Sequence, residues 1–131
     1  MAIKLTTTKA VARTNGVKIC VYGQARAGKT VLCATTGAPD KTVILSAEAG
    51  LLSIADADIP VIEIKSVQDL MDAYQWLTED PQGQAFEWVC LDSISEIAEV
   101  VLNKAKKDCK DPRQAYGEMQ EKVEDAIRAF R

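Results

Sequence analysis

The chain has 131 residues, 47% of them apolar, which is enough to enclose a core of its own and too apolar for a disordered segment. Its formal net charge of −3 gives no global pull toward nucleic acid or a membrane surface. With no histidine anywhere, imidazole acid–base chemistry and His-containing triads are excluded, and proton handling falls to carboxylates, lysines or water.

Residues 1–16 are rich in threonine, lack a helical period and carry Lys4, Lys9 and Arg13 without an acid. They read as an arm or an edge strand ahead of a domain over 17–131. Val17-Lys18-Ile19-Cys20-Val21-Tyr22 is short, apolar and β-branched, as a buried parallel strand should be. Residues 23–30 then spell Gly-Gln-Ala-Arg-Ala-Gly-Lys-Thr, a complete G-x-x-x-x-G-K-[ST] loop of the Walker A type. Gly23 and Gly28 let the backbone curl until consecutive N–H groups point at phosphate oxygens. A helix opening near Gly28 and running to about residue 36 adds unpaired amides and the positive end of its dipole. The expected nucleotide-binding stretch is therefore Gly23, Gln24, Ala25, Arg26, Ala27, Gly28, Lys29, Thr30 and Val31. Lys29 suits the β- and γ-phosphates as a compact charge, and the Thr30 hydroxyl suits Mg²⁺. Arg26 has three open roles: facing solvent, contacting the terminal phosphate, or meeting a neighbouring subunit. The competing reading is a Gly-rich turn with an exposed lysine, and the flanking strand and helix weigh against it.

Gly37-Ala38-Pro39-Asp40 is a turn into a second strand, Thr42–Ser46, and 61–64 is a third. Ser66 caps a helix with Val67, Leu70, Met71, Tyr74 and Leu77 on one face, ending before Pro81. Gln82-Gly83-Gln84 reads as a turn into a strand over 86–92. Ser93 and Glu96 form a capping box for a helix whose stripe is Ile94, Ile97, Ala98, Val101, Leu102 and Ala105. Tyr116, Met119, Val123, Ile127 and Phe130 mark a last amphipathic helix. Strands alternating with helices predict a layered α/β fold with a mainly parallel sheet. Cys20, Cys33, Cys90 and Cys109 lack any C-x-x-C spacing, so zinc is not expected. Cys20 and Cys90 read as small hydrophobes in buried strands. With no leader or membrane-spanning run, the expected compartment is the reducing cytoplasm. Trp76 and Trp88 read as packing residues.

A Mg²⁺-dependent site needs a carboxylate at the C-terminal end of a neighbouring strand, and Asp92 ends the apolar strand over 86–92. Asp92 could instead cap the following helix, but Ser93 supplies that function. Hydrolysis further needs a group to position water. Glu48, in Leu45-Ser46-Ala47-Glu48-Ala49-Gly50, follows the second strand at the end where ligands bind in open α/β sheets. From position alone a catalytic role and a solvated loop carboxylate are equally open. A GTPase base reader is missing, since Asn103-Lys104-Ala105-Lys106 lacks the aspartate, and a kinase-like lid finds few arginines.

These three motifs together, GQARAGKT, LSAEAG and VCLDSI, resemble the RecA-type ATPase core, a three-layer P-loop NTPase fold. The resemblance runs from about residue 15 to the end. It implies ATP and Mg²⁺ as ligands, Lys29 and Thr30 on phosphate and metal, Glu48 as the carboxylate that activates water, and Asp92 as the metal-shell acid. The stretch Asp111-Pro112-Arg113-Gln114-Ala115-Tyr116-Gly117-Glu118-Met119 is similar to phage-encoded, AAA-type ATP-binding proteins that include single-strand annealing and recombination ATPases. That likeness implies hydrolysis coupled to DNA recombination or annealing in a host cytoplasm. A nucleotide switch without turnover is the alternative. In the RecA-type core another strand inserts between the Mg²⁺-side strand and the phosphate-loop strand. This chain is therefore expected to be an amino-terminal portion or a shortened relative, self-associating where that strand would lie. KAKKDCKDPR, with five basic groups against two acidic, is a candidate contact for single-stranded DNA or simply a solvated helix end.

Overall fold

Three short strands form one parallel sheet, in the order β2–β1–β3, in the computed structural model, which describes residues 2–12, 16–47 and 51–130. They are β1 (Thr42–Ser46), β2 (Val61–Glu63) and β3 (Trp88–Asp92). The helices are α1 (Thr8–Ala12), α2 (Lys29–Leu32), α3 (Val67–Glu79), α4 (Pro81–Gln84), α5 (Ile94–Asp108) and α6 (Pro112–Ala129). The central strand β1 is buried along its whole length, as expected of Val-Ile-Leu paired on both sides and covered on both faces. A small α/β fold with a parallel sheet fits the P-loop NTPase-like class.

Register fixes what each face carries. Thr42, Ile44 and Ser46 lie beside Trp88, Cys90 and Asp92. Side chains alternate along a strand, so these six share one face, while Val43, Leu45, Val89 and Leu91 share the other. The second face holds the core: Val43 and Leu45 pack with Ile64, Leu70, Ala73, Leu77 and Ile97. Phe130 closes it from α6, meeting Tyr74 edge to face at 5.3 Å. A smaller cluster of Leu102, Ala105 and Ala115 joins α5 to α6. The first face is left to the segment after the phosphate loop.

Helix starts follow the expected chemistry. Ser66 Oγ accepts from the Asp69 amide at 3.1 Å, and the Asp69 carboxylate accepts from the Ser66 amide at 3.0 Å, a reciprocal box. Amides of Lys65 and Ser66 on that carboxylate hold it below the usual aspartate range. Ser93 Oγ accepts from the Glu96 amide at 3.3 Å, which is half of the expected box.

Several expectations are corrected. Residues 16–23 form no strand, and Val17, Ile19 and Tyr22 are 87, 72 and 92% exposed. Cys20 is likewise exposed rather than buried. A β-branched run becomes a strand only against a partner's ladder, and this one pairs with neither edge of the sheet. Residues 17–22 and β3 therefore do not pair, and among the described residues the outer edge of β3 has no neighbour. Residues 2–12 hold the short helix α1 and no edge strand. The helix after the loop is α2 followed by a 3₁₀ turn over Cys33–Thr35. Residues 82–84 belong to α4 rather than a simple turn. There Gly83 is buried against Trp76 O and lies 2.8 Å, measured from an added Cβ, from Leu77 Cα, so only glycine fits. Met71, Tyr116 and Ile127 are exposed, while Ala73 and Ala115 are buried positions on their helices. Trp76 packs against Phe86, while Trp88 on the edge strand is 42% exposed.

Candidate phosphate-binding site

The loop over 23–30 is shaped by two left-handed residues, Arg26 with φ 65° and Gly28 with φ 96°. For Gly28 the requirement is conformational, since an added Cβ would meet nothing within 4 Å. Arg26 holds the same region against the ordinary preference of a side-chain-bearing residue, and its position two before Gly28 is what turns the loop back on itself. The Ala27 amide donates to Gln24 O at 3.2 Å, and the Leu32 amide to Gly28 O at 3.3 Å, which closes the first turn of α2. Lys29 folds over this curl: its Nζ donates to Gly23 O at 2.6 Å and Gln24 O at 2.8 Å. The ammonium is thus placed at the loop's mouth by the loop's own carbonyls. Gln24, Ala25 and Val31 are exposed along its rim.

Behind the loop, α2 lies on the sheet face carrying Thr42, Ser46, Cys90 and Asp92. Thr30 Oγ1 donates to Asp92 Oδ2 at 3.0 Å, across 62 residues of sequence. Asp92 is 8% exposed, so its carboxylate is held nearly out of water by design of the sheet end. One turn further, the Cys33 thiol faces the Cys90 thiol. A turn beyond that, the Thr36 and Thr42 hydroxyls meet at 2.7 Å. Positions 30, 33 and 36 recur at helical spacing and meet Asp92, Cys90 and Thr42 in order, which lays the segment along the strands. The Cys33 thiol pKa is raised, chiefly by hydrogen bonding with Cys90, with burial and the charges of Cys90 and Asp92 adding to it. The same hydrogen bond lowers Cys90, against the opposing effects of burial and Asp92.

Asp92 does not cap α5; Ser93 does. The carboxylate is therefore available to the site. Its oxygens and the Thr30 hydroxyl, whose proton is directed at Asp92 and whose lone pairs remain, are hard donors of the kind Mg²⁺ takes. Glu48 lies outside the described residues. The chain enters that segment beside Asp92, because Ser46 is in register with Asp92 and the Ala47 amide donates to Asp92 O at 3.2 Å. The cavities outlined elsewhere, about 370 and 350 Å³, sit on α3 among Asp69, Asp72, Glu79 and Asp80, a lining that repels a polyphosphate. Sequence reasoning missed the carbonyl anchors of Lys29 and the threonine–cysteine–threonine row. The T-x-x-C-x-x-T spacing at 30, 33 and 36 was the signal for the latter.

A family model described as an AAA domain matches residues 15–131. No curated protein and no solved structure matches the chain.

Proposed function

The chain belongs to the AAA domain family, and from that premise, which makes it a P-loop ATPase-like, nucleotide-binding domain, we propose that it binds ATP with Mg²⁺ at the 23–30 loop and hydrolyses it. The observation that supports this best is the Thr30–Asp92 hydrogen bond, because it joins the two motifs such chemistry requires at one point. In this reading the amides of 23–28 and the Lys29 ammonium hold phosphate oxygens. The Thr30 hydroxyl and Asp92 hold the cation, and Glu48 orients a water and takes its proton. When bound, Mg²⁺ supplies neutralisation of charge on the phosphate oxygens.

The test is titration calorimetry with ATP, with and without Mg²⁺. Binding is expected to be tighter with the ion in the wild type, and Asp92→Asn is expected to lose about tenfold of that Mg²⁺-dependent gain, one charge-assisted contact. Equal affinities with and without the ion would remove the metal from the proposal.

A finer reading couples hydrolysis to recombination or annealing of single-stranded DNA. It rests on the resemblance over 111–119 and on Lys104, Lys106, Lys107 and Lys110, gathered where α5 turns into α6. Lys106 lies 5.6 Å from the Tyr116 ring centroid, an exposed cation–aromatic pair of the kind that stacks on bases. Self-association through the outer edge of β3 belongs to the same reading. Sedimentation with a labelled single-stranded oligonucleotide reads both. Complexes larger than a monomer are expected, with DNA release as salt rises and on neutralising Lys106 and Lys107. A monomer that ignores the oligonucleotide at low salt sinks this part alone.

A further inference from the structure

The row of contacts under the phosphate loop contains one pair that the proposed chemistry does not use. Cys33 sits one turn beyond Thr30, and Cys90 sits two residues before Asp92 on the same face of β3. The Thr30–Asp92 hydrogen bond fixes the segment against the strand at one end, and the Thr36–Thr42 hydroxyl pair fixes it at the other. Between these two pins Cys33 is brought over the strand position of Cys90, and the two thiols are near enough to perturb each other's ionisation. Both cysteines are half-buried and free, so a small reagent has access while bulk solvent has little. The other two thiols lack such a neighbour: Cys20 lies on the exposed 16–23 segment, and Cys109 donates to the Glu118 carboxylate at 3.0 Å.

We propose that Cys33 and Cys90 are a redox-modification site, a dithiol that closes to a disulfide and thereby changes the fit of the adjoining phosphate loop. The oxidant is a small-molecule disulfide such as oxidised glutathione. One protein sulfur gives its proton to solvent and attacks the reagent's S–S bond, expelling one glutathione thiolate. The second protein sulfur, also losing its proton, attacks the mixed disulfide and expels the other. Two protein thiols are oxidised by two electrons, and one disulfide is reduced to two thiols.

Closure brings the sulfurs to about 2 Å. That draws the segment after Thr30 onto β3 and ties the loop's helix to the strand that carries Asp92. The consequence for nucleotide rests on the ATP-binding reading above; the cross-link itself does not, so the two fail separately.

The experiment treats the full chain with oxidised glutathione, blocks residual thiols, and maps cysteine peptides by mass spectrometry. The expected product is a Cys33–Cys90 cross-link in most molecules, with Cys20 and Cys109 carrying glutathione or remaining thiols. Its formation should be lost in both Cys33→Ser and Cys90→Ser and kept in a variant lacking Cys20 and Cys109. The oxidised protein should bind Mg-ATP at least about fivefold more weakly than the reduced protein, with recovery on adding dithiothreitol. Separate glutathione adducts on Cys33 and Cys90, or untouched thiols there while Cys20 reacts, overturn the site. A cross-link that leaves affinity unchanged in a protein that binds Mg-ATP overturns the coupling. A reduced protein that binds no nucleotide overturns the ATP reading while the peptide map still decides the dithiol.

Discussion

Lys29→Ala is expected to weaken Mg-ATP binding by about a hundredfold or more, the equivalent of roughly 3 kcal/mol for a charge contacting phosphate in a partly enclosed site. The reasoning starts from where the ammonium already is. Two backbone carbonyls of the loop, Gly23 and Gln24, hold it at 2.6 and 2.8 Å, so no rotamer search is needed to bring a cation to the mouth. Those carbonyls would otherwise turn negative ends of dipoles toward an incoming anion, and the ammonium covers them. Alanine removes the attraction and uncovers the repulsion together. Lys29→Arg should fail almost as badly, because a planar fork cannot sit over the two carbonyls as a compact ammonium does. Titration calorimetry reads the affinity, and a thermal melt guards against a folding explanation. Lys29 is not part of the core, so the midpoint should move by only a few degrees. Affinity within threefold of wild type in a folded Lys29→Ala protein would remove the loop from the binding account.

The parts of this architecture that could be read in advance are those where local chemistry decides the outcome. Gly-Lys-Thr after a glycine five residues back has few structural solutions, and Gly28 adopts the left-handed conformation that the motif demands. Ser66 with Asp69, and Ser93 before an apolar period, start helices wherever they stand. The position of Asp92 at the end of an apolar strand, with the neighbouring serine taking the capping duty, was legible in the same way. What could not be read depends on partners distant in sequence. Val17-Lys18-Ile19-Cys20-Val21-Tyr22 has every local mark of a strand, yet a strand is a relation between two segments, and this one finds no ladder among the described residues. The outer stripe of α6 misled for a similar reason. Periodicity gives a face but not which of its residues meet a neighbour: Met119 and Phe130 pack, Ala115 is buried, and Tyr116 and Ile127 stay exposed. Cys33 against Cys90 needed both the helix position and the strand register before the pair could be seen at all.

Glu48→Gln is expected to lower the rate of ATP hydrolysis by about 10²- to 10⁴-fold, the usual contribution of a positioned general base, while leaving Mg-ATP affinity within about threefold. The division between the two readouts is the content of the prediction. A carboxylate that activates water acts on the reacting oxygen and not on the bound phosphates, so its amide isostere should keep the ground-state complex and lose the rate. The placement that motivates it is topological. β1 and β3 run parallel with Ser46 beside Asp92, and the amide of Ala47, the residue before Glu48, is bonded to Asp92 O, next to the metal-shell candidate. A turnover assay run beside calorimetry on the same preparations sorts the outcomes. Loss of rate with retained binding supports the base. Loss of both in equal proportion makes Glu48 a binding residue, and an unchanged rate relegates it to a solvated loop carboxylate. Should the wild type itself bind Mg-ATP and release it intact, Glu48 has no water to act on. The chain would then be a nucleotide-dependent switch whose bound and free states, rather than its products, carry the function.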